Sequence, residues 1–265
     1  MRPGFNPARR NRNIGTASQG HGQDNRMVVP NPGRLISPIE RIGAHVAAQW
    51  RVGSGEIRFV VEELRANWLH PCTIGDVIRL LERIPQSDWA GIRTIIFRQP
   101  SRKQSLLNPS WGRLFYFGEI VTARGRVVAD GPMLLLDAIE QGRHFTWRTG
   151  LALDDQAELA RLEADGHGVE RSGNRYIIRV TPESARATQL YRTVPHEVGH
   201  WFDWLEKVET PAAQGEDFSM LRDRYFARPR GEREAFAHCY ADRVHASLTA
   251  TGAIPFEPQN WAAPD

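Results

Sequence analysis

Cysteine, lysine and long apolar runs are what this chain has least of. Its 265 residues hold two cysteines, Cys72 and Cys239, too few for the disulfide framework of a small secreted scaffold. Cys239 reads more simply as a small buried hydrophobe. Of the 34 basic residues only Lys103 and Lys207 are lysines, a scarcity that suits a protein delivered into a host that marks lysines with ubiquitin. No run approaches the roughly 20 apolar residues of a membrane span. The first arginines are followed by no apolar stretch, so the sequence shows no secretory signal. The expected location is the cytoplasm, or outside it by a non-classical export route.

What is present begins with a tail of different material. Met1 to Arg34 is rich in Gly, Pro, Asn, Gln and Arg and is expected to be disordered. Arg2, Arg9, Arg10, Arg12, Arg26 and Arg34 stand against the single acid Asp24, a charge of +5, so the remainder of a chain of net charge +3 carries −2. The tail reads as a solvated leader or delivery segment, or as a contact for an acidic partner or nucleic acid. Elsewhere arginine is spread evenly, which reflects coding composition rather than a site, so nucleic acid is not the expected partner. Oligomeric state is not legible.

At 41% apolar content the rest can bury one good-sized core. The pattern predicts an N-terminal helical region over 35–90, with helices at Pro38 to Arg51 and Glu56 to Ala66, the second able to start as a strand. A clearer helix follows the cap Thr73. The period then changes: Ile92 to Phe97, Arg113 to Val121, Arg126 to Val128 and Met133 to Ala138 read as strands separated by Gly and Pro signals. Residues 151–180 read as an insertion walling a cleft, with a helix at Asp154 to Glu163 and a hairpin turning at Ser172-Gly173-Asn174. Thr181-Pro182 opens another helix, which Pro195 kinks or breaks, so that the next helix would start near Pro195 with its positive end free.

That next helix carries the motif on which the functional reading turns. His196-Glu197-Val198-Gly199-His200 is an HExxH pentapeptide. Val194, Val198, Trp201, Phe202, Leu205 and Val208 recur around it at helical spacing. Residues four apart share a helix face, so His196 and His200 can close on one metal ion, and two imidazoles suit zinc. Glu197 stands beside the open coordination position, where a metalloprotease keeps its general base. Gly199 lets another backbone approach. A third ligand must come from elsewhere. Glu206 lies where metzincins carry theirs, but Asp203 replaces the glycine of their turn, and an unbroken helix carries Glu206 roughly 9 Å further along the axis. The other source is the small-residue helix Gly231 to Ser247, where Glu234, His238 and Asp242 line up at steps of four. An acid on a packed, alanine-rich face is costly unless its charge is compensated.

HExxH followed some tens of residues later by a glutamate on a second helix, with small residues after it, resembles the gluzincins, the zinc peptidases that include thermolysin and the lethal-factor catalytic domain. The resemblance covers Gly91 to Leu248. It implies an α+β, zincin-like fold: a small mixed or antiparallel sheet packed on an active-site helix and a following ligand-bearing helix, within a peptidase domain over 91–265. It implies one Zn2+ per chain held by His196, His200 and Glu234, with Glu197 catalytic and a protein or peptide as substrate. One position departs. Where thermolysin-like enzymes place an aspartate four residues after the ligand glutamate, this chain has His238. Either Asp242 or Asp203 then supports the histidines from behind, or His238 is itself the ligand. For the second contact to an oxyanion, Tyr240, His238, His245, Tyr191 and Arg192 are the choices, with Tyr240 in the catalytic set. A substrate strand is expected to pair with an edge at Leu114 to Glu119 or Met133 to Asp137. Other classes remain: a non-catalytic zincin-fold binding module, an adaptor working through the arginine-rich tail, or, within the peptidase reading, a toxin or effector.

Overall fold

A five-stranded sheet organises the molecule because its central strands are apolar on both sides. The structure, a computed structural model, describes residues 39–107 and 110–259; the tail expected over Met1 to Arg34 lies outside them. The sheet joins β2 (His45–Val52), β3 (Gly55–Glu62), β5 (Thr94–Arg98), β9 (Met133–Asp137) and β6 (Gly112–Phe115) in that spatial order. β3, β5 and β9 are parallel, and antiparallel β2 and β6 form the two edges. Ile57, Phe59, Ile95, Phe97, Leu134 and Leu136 face the helices, while Val60, Ile96, Met133 and Leu135 face the other way. Helix α1 (Ile74–Leu81) follows β3 and β4 (Trp68–Leu69), the partner of the short β10 (Ile139–Glu140), and leads back to β5. It opens with a capping box between Thr73 and Asp76.

The far face is covered by a second sheet in which β7 (Glu119–Thr122) lies between β1 (Ile39–Ile42) and β8 (Val127–Asp130). The helix expected over Pro38 to Arg51 is therefore corrected, since its described residues form β1 and most of β2, and of the two readings of Glu56 to Ala66 the strand start is the one met, as β3. In β3 the neighbours Phe59 and Val60 are buried on opposite faces, so the strand lacks a clean alternation of apolar and polar residues. The boundary expected near residue 90 is corrected with it, since β3 pairs directly with β5. Arg113 to Val121, read as one strand, is two, β6 and β7.

The stretch read as an insertion over 151–180 contains the expected helix and hairpin, and residues 144–148 add one strand to that hairpin. β11 (His144–Arg148), β13 (Arg175–Arg179) and β12 (Gly168–Ser172) make a small antiparallel sheet, joined by helix α4 (Leu153–Ala164). Two short helices, α2 (Gln86–Trp89) and α3 (Arg102–Leu107), lie earlier in the chain. Among the described residues no helix is long and apolar enough to cross a membrane.

A continuous helical rod then runs over 182–213. It comprises α5 (Pro182–Arg186), a π-helical stretch Ala187–Thr193, α6 (Val194–Trp204), a second π stretch Leu205–Glu209, and α7 (Thr210–Ala213). Each π stretch ends two residues before a proline, Pro195 and Pro211. A proline has no N–H to give and its ring crowds the carbonyl four residues back. A widened turn, in which Val194 N–H reaches the Gln189 carbonyl and Thr210 N–H that of Leu205, lets the rod continue past it. The free helix start expected at Pro195 is thus corrected: the helix is already under way there and offers no bare N-terminus. After α8 (Phe218–Ala227) comes α9 (Arg230–Ala250), which crosses α6.

Candidate metal centre

The crossing of α6 and α9 is set by Gly199. A Cβ built there would lie 2.9 Å from Tyr240 Cβ and 3.1 Å from Ala237 Cα, so only glycine lets the two backbones approach this closely. The expectation for Gly199 is met, and the approaching backbone is that of α9. Close contact brings Glu234, near the start of α9, over the two histidines of α6.

His196 Nε2 lies 3.4 Å and His200 Nε2 3.5 Å from Glu234 Oε2. The ligand atoms of all three residues lie within 4.8 Å of one another. Two nitrogens and a carboxylate oxygen about 2.0–2.2 Å from a tetrahedral zinc would stand roughly 3.3–3.5 Å apart. The spacing and the donor set therefore fit a metal ion. The two imidazole rings are nearly perpendicular, 85° apart with centroids separated by 4.7 Å. The His196 and His200 rings, and then Arg230, hold the Glu234 carboxyl well below the usual carboxylate range against the opposing effect of burial. Arg230 Nε donates to Glu234 Oε1 at 3.1 Å. It is an i,i+4 partner, visible in principle from spacing but not picked out.

Glu197 is buried beside this group, and its Oε2 accepts the Leu114 backbone N–H at 2.8 Å. Leu114 lies on β6, the edge strand. Of the two edge segments expected, Leu114 to Glu119 contains part of this strand, whereas Met133 to Asp137 is interior β9, flanked on both sides. The Trp111 carbonyl accepts from Asp137 N–H, so the backbone groups of 111, 113 and 115 turn towards β9 and those of Gly112 and Leu114 turn outwards.

The supporting residues are arranged otherwise than expected. Asp203, fully buried, accepts from Arg228 Nη1 at 2.6 Å and pairs with Lys207. It braces α6 against the chain entering α9 and does not reach the histidines. Asp242 is exposed, one helical turn beyond His238. His196 Nδ1 and His200 Nδ1 are buried with no hydrogen-bond partner among the described residues, so neither aspartate supports them. His238 lies against His196, ring centroids 4.4 Å apart and planes tilted by 47°, and is outside the converging trio. Burial, then the neighbouring His196 and Arg161, push its pKa down to about 4.

Tyr240 is corrected as a catalytic group. Six residues after Glu234 it points off that face, and its hydroxyl donates to Asp88 Oδ2 at 2.7 Å. Nothing in the spacing signalled Asp88. The Tyr191 hydroxyl is held by Arg186 and the Phe256 backbone, Arg192 pairs with Glu158 and Asp165, and His245 is exposed. Of the five groups considered for the oxyanion only His238 stands at the site. Cys239 is exposed, correcting its reading as a buried hydrophobe, because it falls on the outer face of α9.

No protein-family model, curated protein or solved structure matches this chain.

Proposed function

We propose that this protein is a zinc-dependent peptide hydrolase of the gluzincin kind. The observation that carries the reading is the convergence of His196, His200 and Glu234 on one point, with the Glu197 carboxylate beside it and tied to the backbone of an edge strand. Bound there, zinc would supply a Lewis acid for the scissile carbonyl and acidify a water towards neutrality.

The chain's own groups supply the rest. Leu114 N–H fixes one oxygen of Glu197, leaving the other to take a proton from the attacking water and return it to the departing amine. The outward-facing carbonyl of Leu114 and the backbone of Gly112 offer pairing to a peptide lying antiparallel along β6, which aligns its scissile bond. His238, uncharged near neutrality, presents a ring N–H beside the ligands for a developing oxyanion.

The test is zinc per chain, with cleavage of an unfolded protein on the same samples. Wild type, Glu197→Gln and His238→Ala are expected to keep one zinc, and Glu234→Gln to lose it. Cleavage by Glu197→Gln should fall about 10²- to 10⁴-fold. A wild type that neither holds nor takes up zinc refutes the reading. A zinc-loaded wild type that cuts nothing replaces it with a binding module.

A further inference from the structure

A second cavity lies beside the proposed cleft. It has a volume of about 190 Å³ and is lined by Trp111, Ile139, Phe145, Trp147 and Leu162, with Glu158 at its margin. A dry apolar cavity of about 150 Å³ accepts benzene, so this one has room for a single aromatic ring or a leucine side chain.

Its walls are made in advance. Phe145 and Trp147 alternate along β11 and point the same way, half-buried, as is Trp111. A chain ordinarily spends such rings on its own core. Here three rings pack against the small core of Leu159, Leu162 and Ile178 and also surround a space. Two of them are braced: the Arg143 guanidinium, itself part of the wall, lies 4.7 Å over Phe145, Trp111 meets Phe145 edge-on at 6.3 Å, and His167 is 5.6 Å from Trp111. Most of the charged groups in its wall are engaged elsewhere. Glu158 is bonded by Arg192 and Arg161, Arg143 donates to the Ser105 carbonyl, and one oxygen of Asp137 accepts from Ser110, while its other oxygen has Arg113 at 3.8 Å and no hydrogen-bond partner among the described residues. Most of the surface left for a ligand is apolar.

The position links this cavity to the cleft. Trp111 immediately precedes β6, and three residues of extended chain, about 10 Å, separate it from Leu114. Glu158 joins the cavity margin to Arg192, four residues before His196. For a peptide antiparallel to β6, the residues after the scissile bond run from Leu114 towards Trp111.

We propose that this cavity receives a large apolar side chain, aromatic or leucine, at the second or third substrate residue after the scissile bond. The assignment rests on the peptidase reading, and insertion and edge strand together would then define specificity.

The test uses the zinc-loaded full chain and a peptide library, with cut positions read by mass spectrometry. Wild type should enrich Phe, Tyr, Trp or Leu at one of those two positions. Ala138→Met, which fills the cavity from its floor, should lower kcat/KM for the best such peptide roughly 10- to 100-fold and change its alanine counterpart less than about twofold. Trp147→Ala, a second variant at a half-exposed site, should erode the same preference. No enrichment there, enrichment of lysine or arginine instead, or an unchanged profile in a folded Ala138→Met protein overturns the proposal.

A binding measurement separates this from failure of the peptidase reading. A peptide carrying 4-nitrophenylalanine at the enriched position, or at the third position of a generic sequence if nothing is cut, is titrated into Glu197→Gln protein while tryptophan fluorescence is followed. Saturable quenching that Ala138→Met abolishes supports the pocket even if wild type cuts no peptide. Absence of such quenching overturns the pocket whatever the cleavage result.

Discussion

Replacing Gly199 by alanine should uncouple the two halves of the proposed metal centre. By intrinsic preference the change favours α6, since alanine gains about 1 kcal/mol over glycine in a helix interior. Against this, the new methyl would stand 2.9 Å from Tyr240 Cβ and 3.1 Å from Ala237 Cα. Neither atom can swing aside by a rotamer change, so α9 must retreat by roughly half an ångström or more to restore ordinary contact near 3.5–4.0 Å. Overpacking of this kind costs about 1–3 kcal/mol. The steric cost outweighs the gain in helix preference, and the net is a loss of about 1 kcal/mol in stability. The retreat carries Glu234 away from His196 and His200, whose spacings of 3.4 and 3.5 Å already match a shared ligand sphere. Zinc affinity should therefore fall more than fold stability. Urea unfolding of metal-free protein gives the first quantity, and competition with a chromophoric chelator gives the second. A Gly199→Ala protein at least as stable as wild type, with equal zinc affinity, would refute the idea that this crossing sets the site.

Two further outcomes follow from corrected or buried groups. Tyr240→Phe removes a hydroxyl committed to Asp88; it should cost roughly 1 kcal/mol in urea unfolding and leave cleavage of an unfolded protein within about twofold of wild type. A large fall in kcat at unchanged zinc content would restore Tyr240 to the chemistry. Asp76 is fully buried, and its pKa is lowered: burial alone would raise it, but the Arg186 side chain and the Gln259 and Thr73 N–H groups prevail. A carboxyl with a depressed folded value contributes stability that is complete above its unfolded value near 3.9 and is lost as pH falls through the folded one. The urea midpoint should fall on acidification below about pH 4. Asp76→Asn, at a cost of roughly 3 kcal/mol at pH 7, should flatten that limb, and an acid limb of unchanged steepness would assign it to other groups.

What could be read from the chain alone was what depends on neighbours in sequence. The α6 helix, its two histidines and the glycine between them announce themselves because a helical face is written at fixed spacing within a dozen residues. Thr73 and Thr181 announce helix starts for the same reason, since both caps close within three residues. The strands over 39–62 were hidden by their surroundings. β3 is covered on two sides, so its polar alternation is lost, and β2, an edge, mixes exposed Val46 with half-buried Trp50 in a pattern no single period describes. Which residue answers Asp203 was equally illegible, because Arg228 is 25 residues away and comes alongside only after α8 has turned the chain back.

The site itself combines the two kinds of information, and this explains which of its parts were legible. His196, Glu197 and His200 are local, fixed by one helix. Glu234 is distant, yet its position on a small-residue helix made it readable, because small side chains permit close crossing and an acid on that face calls for a counter-charge. The Leu114 N–H had no such mark, being a backbone group that any residue would supply. Its role depends on β6 lying at the sheet's edge with its N–H turned outwards, a property of pairing rather than of residue type. The π stretch before α6 belongs with it. Carrying the rod past Pro195 without a break keeps the histidine helix in line with the segment bearing Gln189, whose amide donates to the carbonyls of Trp111 and Asp137 at 2.7 and 2.8 Å. Through those two bonds the helix is fastened to the start of the edge strand, and Glu197 and Leu114 meet because both ends of that fastening are rigid. The proposed general base and the strand it leans on are thus placed by one continuous structure, which the sequence marks only by a proline in an unexpected place.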